Sequence, residues 1–110
     1  FPDPNQGVAS ANYISEHKLG SKIAIIYRSD DDYSTSIYNT FKTEADKLGL
    51  EIVYAGGFVN TDSDYSTQLT AAQAAGADLV FIPIYYDPAS IILTQANQMG
   101  YAPTFFAVDG

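Results

Sequence analysis

Four glycines divide the chain at nearly even intervals, and a short apolar run follows each of them. Glycine readily adopts the left-handed conformation that closes a helix, whereas a residue with a Cβ disfavours it. Each glycine therefore predicts the end of a helix and the approach of a strand. The four pairs are Gly20 with 22–27, Gly49 with 50–55, Gly76 with 78–84 and Gly100 with 104–108.

The stretches between these strands carry apolar residues at helical spacing, which predicts helices over residues 5–19, 34–48, 65–75 and 88–99. Strands that alternate with helices at this period form a parallel sheet covered on both faces. Pro83 is expected to end its strand early, because proline cannot donate a ladder hydrogen bond. With right-handed crossovers, the expected fold is a three-layer α/β/α sandwich of flavodoxin-like type, with four parallel strands in the order 2-1-3-4.

Length and charge restrict the function classes. The chain has 110 residues, enough for one domain, with 13 acidic and 5 basic residues and a net charge of −8. Nucleic acids and anionic membranes are bound by clustered lysine and arginine, so neither is an expected partner. The absence of cysteine excludes disulfides and thiolate catalysis.

Acidic and tyrosine side chains follow three of the predicted strands. They lie in residues 30–33, in residues 85–87 and at Asp109. In a doubly wound sheet, ligands bind beyond the carboxyl ends of the strands, so these residues are expected at the ligand position. Carboxylates and tyrosine rings suit a ligand that carries an ammonium group. The alternative reading, solvated loop acids and half-buried tyrosines, stays open.

Other chemistries fit the sequence less well. No glycine-rich phosphate motif follows a strand, so no nucleotide cofactor is expected, and no other cofactor or metal is predicted. The one histidine, His17, is predicted at the opposite end of the sheet, which leaves no nucleophilic triad and no expected catalysis. Two alternatives share the topology: a receiver domain with Asp30, Asp31 and Asp87 as its carboxylates, and a flavodoxin-like redox domain.

Several stretches in order resemble one known family. They are Asn-Gln-Gly at 5–7, Lys-Ile-Ala-Ile-Ile-Tyr at 22–27, Asp-Tyr at 32–33, the run 78–86 with Pro-Ala after Asp87, and Phe-Phe-Ala-Val-Asp-Gly at 105–110. Together they are similar to the second lobe of type I periplasmic binding proteins. The most similar members are the Leu/Ile/Val-type substrate-binding components of amino-acid ABC importers. The resemblance covers essentially the whole chain.

The resemblance implies a set of ligand-binding residues. Such proteins trap an amino acid between two lobes, and the second lobe holds the α-ammonium with two tyrosines and a carboxylate. Carried onto this sequence, these residues are Tyr33, Tyr85 and Asp109. Tyr86 is the alternative to Tyr85, because adjacent side chains in an extended chain point opposite ways. Asp32, next to Tyr33, completes the candidate set.

The resemblance also implies a cellular setting. The parent protein would be extracytoplasmic, in the periplasm or lipid-anchored at the cell surface, and would deliver a branched-chain or other aliphatic amino acid to the permease of an ABC importer. The 110 residues would form a single lobe, with the first lobe and the last part of the second lying outside them. Such a lobe is expected to bind weakly or not at all, and a strand edge left unpaired favours a homodimer. A sensory protein and an engineered isolated lobe without ligand function remain alternatives.

Overall fold

The computed structural model describes residues 5–59, 64–83 and 86–107, and for residues 5, 6 and 86–89 it describes the backbone alone. Within these residues four helices alternate with four strands, as the sequence predicts. The elements are α1 (Asn5–His17), β1 (Lys22–Arg28), α2 (Asp32–Leu48), β2 (Glu51–Phe58), α3 (Ser66–Ala74), β3 (Leu79–Ile82), α4 (Tyr86–Gln98) and β4 (Thr104–Ala107). None of the described helices is both long enough and apolar enough to cross a membrane.

The four strands form one sheet in the order β2-β1-β3-β4, and every neighbouring pair is parallel. The predicted fold class and strand order are therefore confirmed. Pairing of β1 with β2 continues to Arg28 opposite Phe58, whereas pairing of β1 with β3 ends at Ile25 opposite Phe81. The pairing between the two central strands therefore ends before β1 does.

Buried side chains alternate between the two faces of the sheet, as the two-residue period of a strand requires. One cluster lies under α1 and α2, and the other lies under α3 and α4. The first contains Ala11, Ile14, Ile23, Ile25, Ile37, Phe41, Ala45, Leu79 and Phe81. The second includes Ala24, Ile26, Phe58, Tyr65, Leu69, Ala72, Val80, Ile82, Ile92 and Ala96. These clusters are the two cores of a three-layer sandwich.

Three of the four glycines that mark the repeat adopt the predicted left-handed conformation, with φ of 77° at Gly49, 81° at Gly76 and 75° at Gly100. The prediction is wrong for Gly20, because α1 ends at His17 and Lys18 takes the left-handed conformation instead, with φ of 52°. Gly20 is instead needed because its backbone packs closely against the side chain of Leu79. A Cβ at this position would lie 2.7 Å from the Cβ of Leu79.

The end of β2 differs from the expected one, whereas the end of β3 agrees with it. β2 runs on to Phe58, past Gly56, where a loop was predicted. The ring of Tyr54 lies over Gly56, and a Cβ on Gly56 would be 2.7 Å from the Tyr54 Cζ. The ring can therefore pack here only because residue 56 is a glycine. β3 ends at Ile82, directly before Pro83, as predicted.

The amino edge of the sheet is tied together by the chain just before β3. The Asp78 carboxylate accepts hydrogen bonds from the backbone N–H groups of Ser21 (3.1 Å) and Lys22 (3.0 Å). The Tyr101 hydroxyl donates to the carbonyl oxygen of Ala77 at 2.9 Å. Burial, and to a smaller extent the charge of Asp78, raise the pKa of Tyr101 above its ordinary value.

The raised pKa of Tyr101 predicts a loss of stability at high pH. Because the folded-state pKa exceeds the unfolded one, the contribution is complete below about pH 10 and is lost as the pH rises through the folded-state value. Tyr101→Phe should lower the free energy of unfolding by about 1 kcal/mol at neutral pH, since it leaves the Ala77 carbonyl without its donor. It should also flatten the decline above about pH 10.

Urea unfolding at a series of pH values measures both effects. Tyr13→Phe is the control, because the Tyr13 side chain is 49% exposed. Equal slopes for the Tyr101 and Tyr13 variants above about pH 10 would contradict the prediction.

Candidate functional site

The connection between β1 and α2 lies at the carboxyl edge of the sheet, where the ligand is expected. Asp31 caps α2: its side chain accepts from the N–H of Ser34 at 3.3 Å, and its carbonyl accepts from the N–H of Thr35 at 3.0 Å. Because Asp31 is the cap, α2 begins at Asp32, two residues earlier than predicted. Asp32 and Tyr33 therefore lie in the first helical turn, and their prediction as loop residues is wrong.

Two serines attach this connection to the strands. Ser34 is fully buried, and its Oγ accepts a hydrogen bond from the backbone N–H of Arg28 at 2.8 Å. Ser29 donates twice to the carbonyl of Phe58, from its N–H at 2.8 Å and from its Oγ at 3.1 Å. Sequence reasoning missed both roles. The only signal for Ser34 is its place three residues after a capping aspartate, the spacing of a capping box.

The two candidate ligand residues on α2 have different surroundings. Tyr33 is half-buried and packs against the core cluster under α1 and α2. Asp32 is exposed. Both lie in the turn that follows the carboxyl end of β1, as the sequence predicts for ligand-binding side chains.

This part of the edge carries more negative than positive charge. Asp30, Asp31 and Asp32 lie close in sequence to one cation, Arg28, whose Nε is 2.7 Å from the Oδ1 of Asp30. Asp64 precedes α3, the helix that follows β2. Its pKa is lowered, first by the backbone N–H of Ser66 at 3.0 Å and then by the Ser66 hydroxyl. The field of these carboxylates favours a cationic group over an anion.

The other predicted site residues are not described at side-chain level. Tyr85 and Asp109 lie outside the described residues. Tyr86 is the first residue of α4, which begins two residues before Pro88. Placing Tyr86 and Asp87 in a loop was therefore wrong. A proline fits within the first turn because the N–H that it lacks has no helical partner there.

The groove with the largest volume among those found between described residues lies elsewhere. It runs between the C-terminal half of α2 and the start of β2 and is lined by Lys42, Asp46, Lys47, Leu50 and Ile52. Because Leu50 and Ile52 lie at the start of β2, this groove is at the amino edge of the sheet, whereas Tyr33 follows the carboxyl end of β1. In the described part of the chain, no group of three or more histidine, aspartate and glutamate side chains is arranged to hold a metal ion. The candidate site is therefore located by topology and by charge.

The sequence matches the family model of the periplasmic binding proteins over residues 1–110. A Leu/Ile/Val-binding protein homolog of Brucella abortus is 34% identical over 82 residues, which are 74% of this chain and 20% of that protein. Both the whole-chain match and this identity point to one family of solute-binding proteins.

Two solved structures are similar in fold and in sequence. A leucine binding protein from Thermotoga maritima superposes with a TM-score of 0.89 at 28% identity over 96% of this chain and 30% of that one. The second is the branched-chain amino acid transporter substrate binding protein of Streptococcus pneumoniae, solved in complex with isoleucine. It superposes with a TM-score of 0.83 at 29% identity over 92% of this chain and 28% of that one. The chain thus spans less than a third of the length of the proteins that it matches.

Proposed function

The chain belongs to the periplasmic binding protein family, and from this we propose that it forms one half of the binding site for a branched-chain or other aliphatic amino acid. The Brucella relative is named for leucine, isoleucine and valine, and the Streptococcus structure holds isoleucine. The family consists of solute-binding proteins, so we propose capture and release of a ligand without a chemical reaction. Family membership also favours this function over a receiver or flavodoxin-like domain.

The contact that we propose for this chain is with the ligand ammonium. Tyr33, in the first turn of α2, is the observation that carries the proposal, because it lies at the carboxyl end of β1 beside an acidic connection. We propose Tyr85 or Tyr86 and the Asp109 carboxylate as its companions, with Asp32 adding negative charge nearby. Tyrosine faces and carboxylates hold ammonium groups by cation–π attraction and by ion pairing.

We propose that the 110 residues are a single lobe and that a second lobe supplies the rest of the site. The support is the share of the relatives' length that the chain spans. A micromolar complex is stabilised by roughly 8 kcal/mol, and half of that free energy corresponds to a dissociation constant of about 1 mM. The lobe alone should therefore bind leucine weakly.

The setting that we propose follows from the same family membership: an extracytoplasmic protein whose partner is the permease of an ABC importer.

A further partner that we propose is a second copy of the chain. β4 is the last strand of the sheet, carries no charged residue, and has an outer edge without a partner strand among the described residues. Such edges pair readily. If two copies pair through β4, sedimentation equilibrium should show a mass that rises from monomer toward dimer with concentration. A monomeric mass at all concentrations would contradict the pairing.

Replacing Tyr33 tests the proposed site. Tyr33→Ala should weaken leucine binding about fivefold or more, because it removes a ring whose attraction for a bound ammonium is about 1 kcal/mol or more. Tyr38→Ala is the matched control, since Tyr38 is a half-buried tyrosine on the same helix that stacks on Tyr27 at 4.3 Å. Amide chemical-shift titration measures affinities in this range.

Two leucine analogues separate ammonium recognition from recognition of the aliphatic chain. 3-Methylbutylamine lacks the carboxylate, and 4-methylpentanoate lacks the ammonium. The proposal predicts that the amine shifts the same amides as leucine and that the acid does not. Equal shifts from the acid, or equal losses in the Tyr33 and Tyr38 variants, would contradict it.

A further inference from the structure

Pairing between the two central strands ends before β1 does, and we call the space between their carboxyl ends the crevice. β1 pairs with β3 only through Ile25, but β1 itself continues to Arg28. The chain leaves β1 for α2 on one face of the sheet and leaves β3 for α4 on the other. This is the arrangement of a topological switch point, where doubly wound folds bind their ligands.

The backbone N–H of Arg28 points into this crevice. In a strand, the N–H and C=O of one residue point to the same side and those of the next residue to the opposite side. Lys22 faces β3, because its carbonyl accepts from the N–H of Asp78 at 2.9 Å. Ser29 faces β2, because its N–H donates to Phe58 at 2.8 Å. Arg28 lies an even number of residues after Lys22, so its backbone N–H and C=O point to the same side as those of Lys22, toward β3. Arg28 is beyond the last residue of β1 that pairs with β3.

The Ser34 hydroxyl accepts a hydrogen bond from the backbone N–H of Arg28. Its Oγ lies 2.8 Å from the Arg28 nitrogen, and the residue is 0% exposed. The backbone N–H of Ser34 is held in turn by the Asp31 carboxylate. Ser34 is therefore fixed through both its side chain and its main chain, and Tyr33 directly precedes it. The first turn of α2 is anchored at the crevice rather than free beside it.

We propose that Ser34 is the positioning residue of the binding site, which holds Asp32 and Tyr33 at the crevice through the end of β1. This inference rests on the proposed amino-acid binding for its functional consequence. Loss of the hydroxyl leaves a buried N–H without an acceptor, and the local remedy is for the turn to shift and admit water. The shift would displace Tyr33, the next residue along, while the two core clusters stay packed.

Hydrogen exchange and leucine titration by NMR test the proposal on the whole chain. In the wild type, the Arg28 amide should exchange at least about 100-fold more slowly than an unstructured amide. In Ser34→Ala that amide should exchange about 10-fold faster or more, the Asp32 and Tyr33 amides should shift, and the leucine dissociation constant should rise about 10-fold. Ser34→Thr keeps a hydroxyl and should retain most of the affinity. Ser36→Ala, a half-buried serine two residues along the same helix, is the control.

Three results would overturn the proposal. The first is a rapidly exchanging Arg28 amide in the wild type, which needs no variant to fold. The second is a Ser34→Ala chain whose Asp32 and Tyr33 amides keep their wild-type shifts. The third is a Ser34→Ala chain that binds leucine as Ser36→Ala does. Absence of leucine binding by the wild type would instead contradict the proposal that this lobe alone binds leucine, and the exchange rates and amide shifts would still decide whether Ser34 positions the turn.

Discussion

Replacing Phe81 with alanine should lower the free energy of unfolding by about 3–5 kcal/mol, the largest effect that we expect from a single substitution. Phe81 lies in the central strand β3 and is 0% exposed. Its ring stacks on Phe41 of α2 with the centroids 4.0 Å apart. The alanine leaves a cavity between sheet and helix that backbone elements on both sides keep from closing. Domains of this size have about 5–15 kcal/mol of stability in total, so the loss approaches unfolding.

Urea unfolding followed by circular dichroism measures the loss. Phe106→Ala is the matched control, because Phe106 belongs to the same ring cluster, 6.1 Å from Phe81, but lies on the edge strand β4 and is half-buried. It should cost less than half as much. A Phe81→Ala chain destabilised by less than about 1 kcal/mol would show that this side of the sheet is not packed as described.

Gly7→Ala should destabilise the chain by about 2 kcal/mol, although alanine favours a helix over glycine by up to about 1 kcal/mol. Gly7 is buried where α1 crosses α2. A Cβ there would meet the carbonyl oxygen of Ile37 at 2.5 Å and the nitrogen of Phe41 at 2.7 Å, as well as the Thr40 hydroxyl. Two of the three neighbours are backbone atoms and cannot rotate away. The steric cost therefore exceeds the gain in helix propensity.

The sign of the stability change in Gly7→Ala shows whether the steric cost of the Cβ or the gain in helix propensity is larger. Ala9→Gly, at an exposed position of the same helix, measures propensity alone and should cost about 1 kcal/mol. The double variant Gly7→Ala/Thr40→Ala should recover only part of the loss, because the backbone contacts remain. A Gly7→Ala chain more stable than the wild type would mean that the two helices are farther apart than described.

The order of elements was predictable because it rests on local signals. Gly49, Gly76 and Gly100 close helices by adopting a left-handed conformation that needs no tertiary partner, since a Cβ at any of the three would contact nothing within 4 Å. Gly20 is different: it is required by Leu79, 59 positions away in sequence. A glycine pattern alone cannot separate these two causes, which is why the end of α1 was misplaced.

The start of α2 shows where a local signal is ambiguous. Three consecutive aspartates, Asp30, Asp31 and Asp32, lie where the helix starts, and aspartate is a good N-cap residue at any of these positions. Only the backbone geometry selects Asp31, whose φ and ψ are −125° and 121°. That choice moves Asp32 and Tyr33 from a loop into the helix and places Ser34 under Arg28. The sequence thus placed Asp32 and Tyr33 correctly at the carboxyl edge of the sheet but could not predict the hydrogen bonds of that turn. All five candidates stay predictions as ligand residues: Asp32, Tyr33, Tyr85, Tyr86 and Asp109.

The most direct measurement is an amide chemical-shift titration of the isotopically labelled chain with leucine up to a few tens of millimolar, well above the expected dissociation constant of about 1 mM. The account predicts saturable shifts at residues that follow the strands, centred on Tyr33, Tyr85 and Asp109. It predicts none at the amino edge around Ser21 and Asp78. Shifts centred on the amino edge would contradict an amino-acid site at the carboxyl ends of these strands, and no shifts in a well-folded chain would contradict leucine binding by this lobe alone.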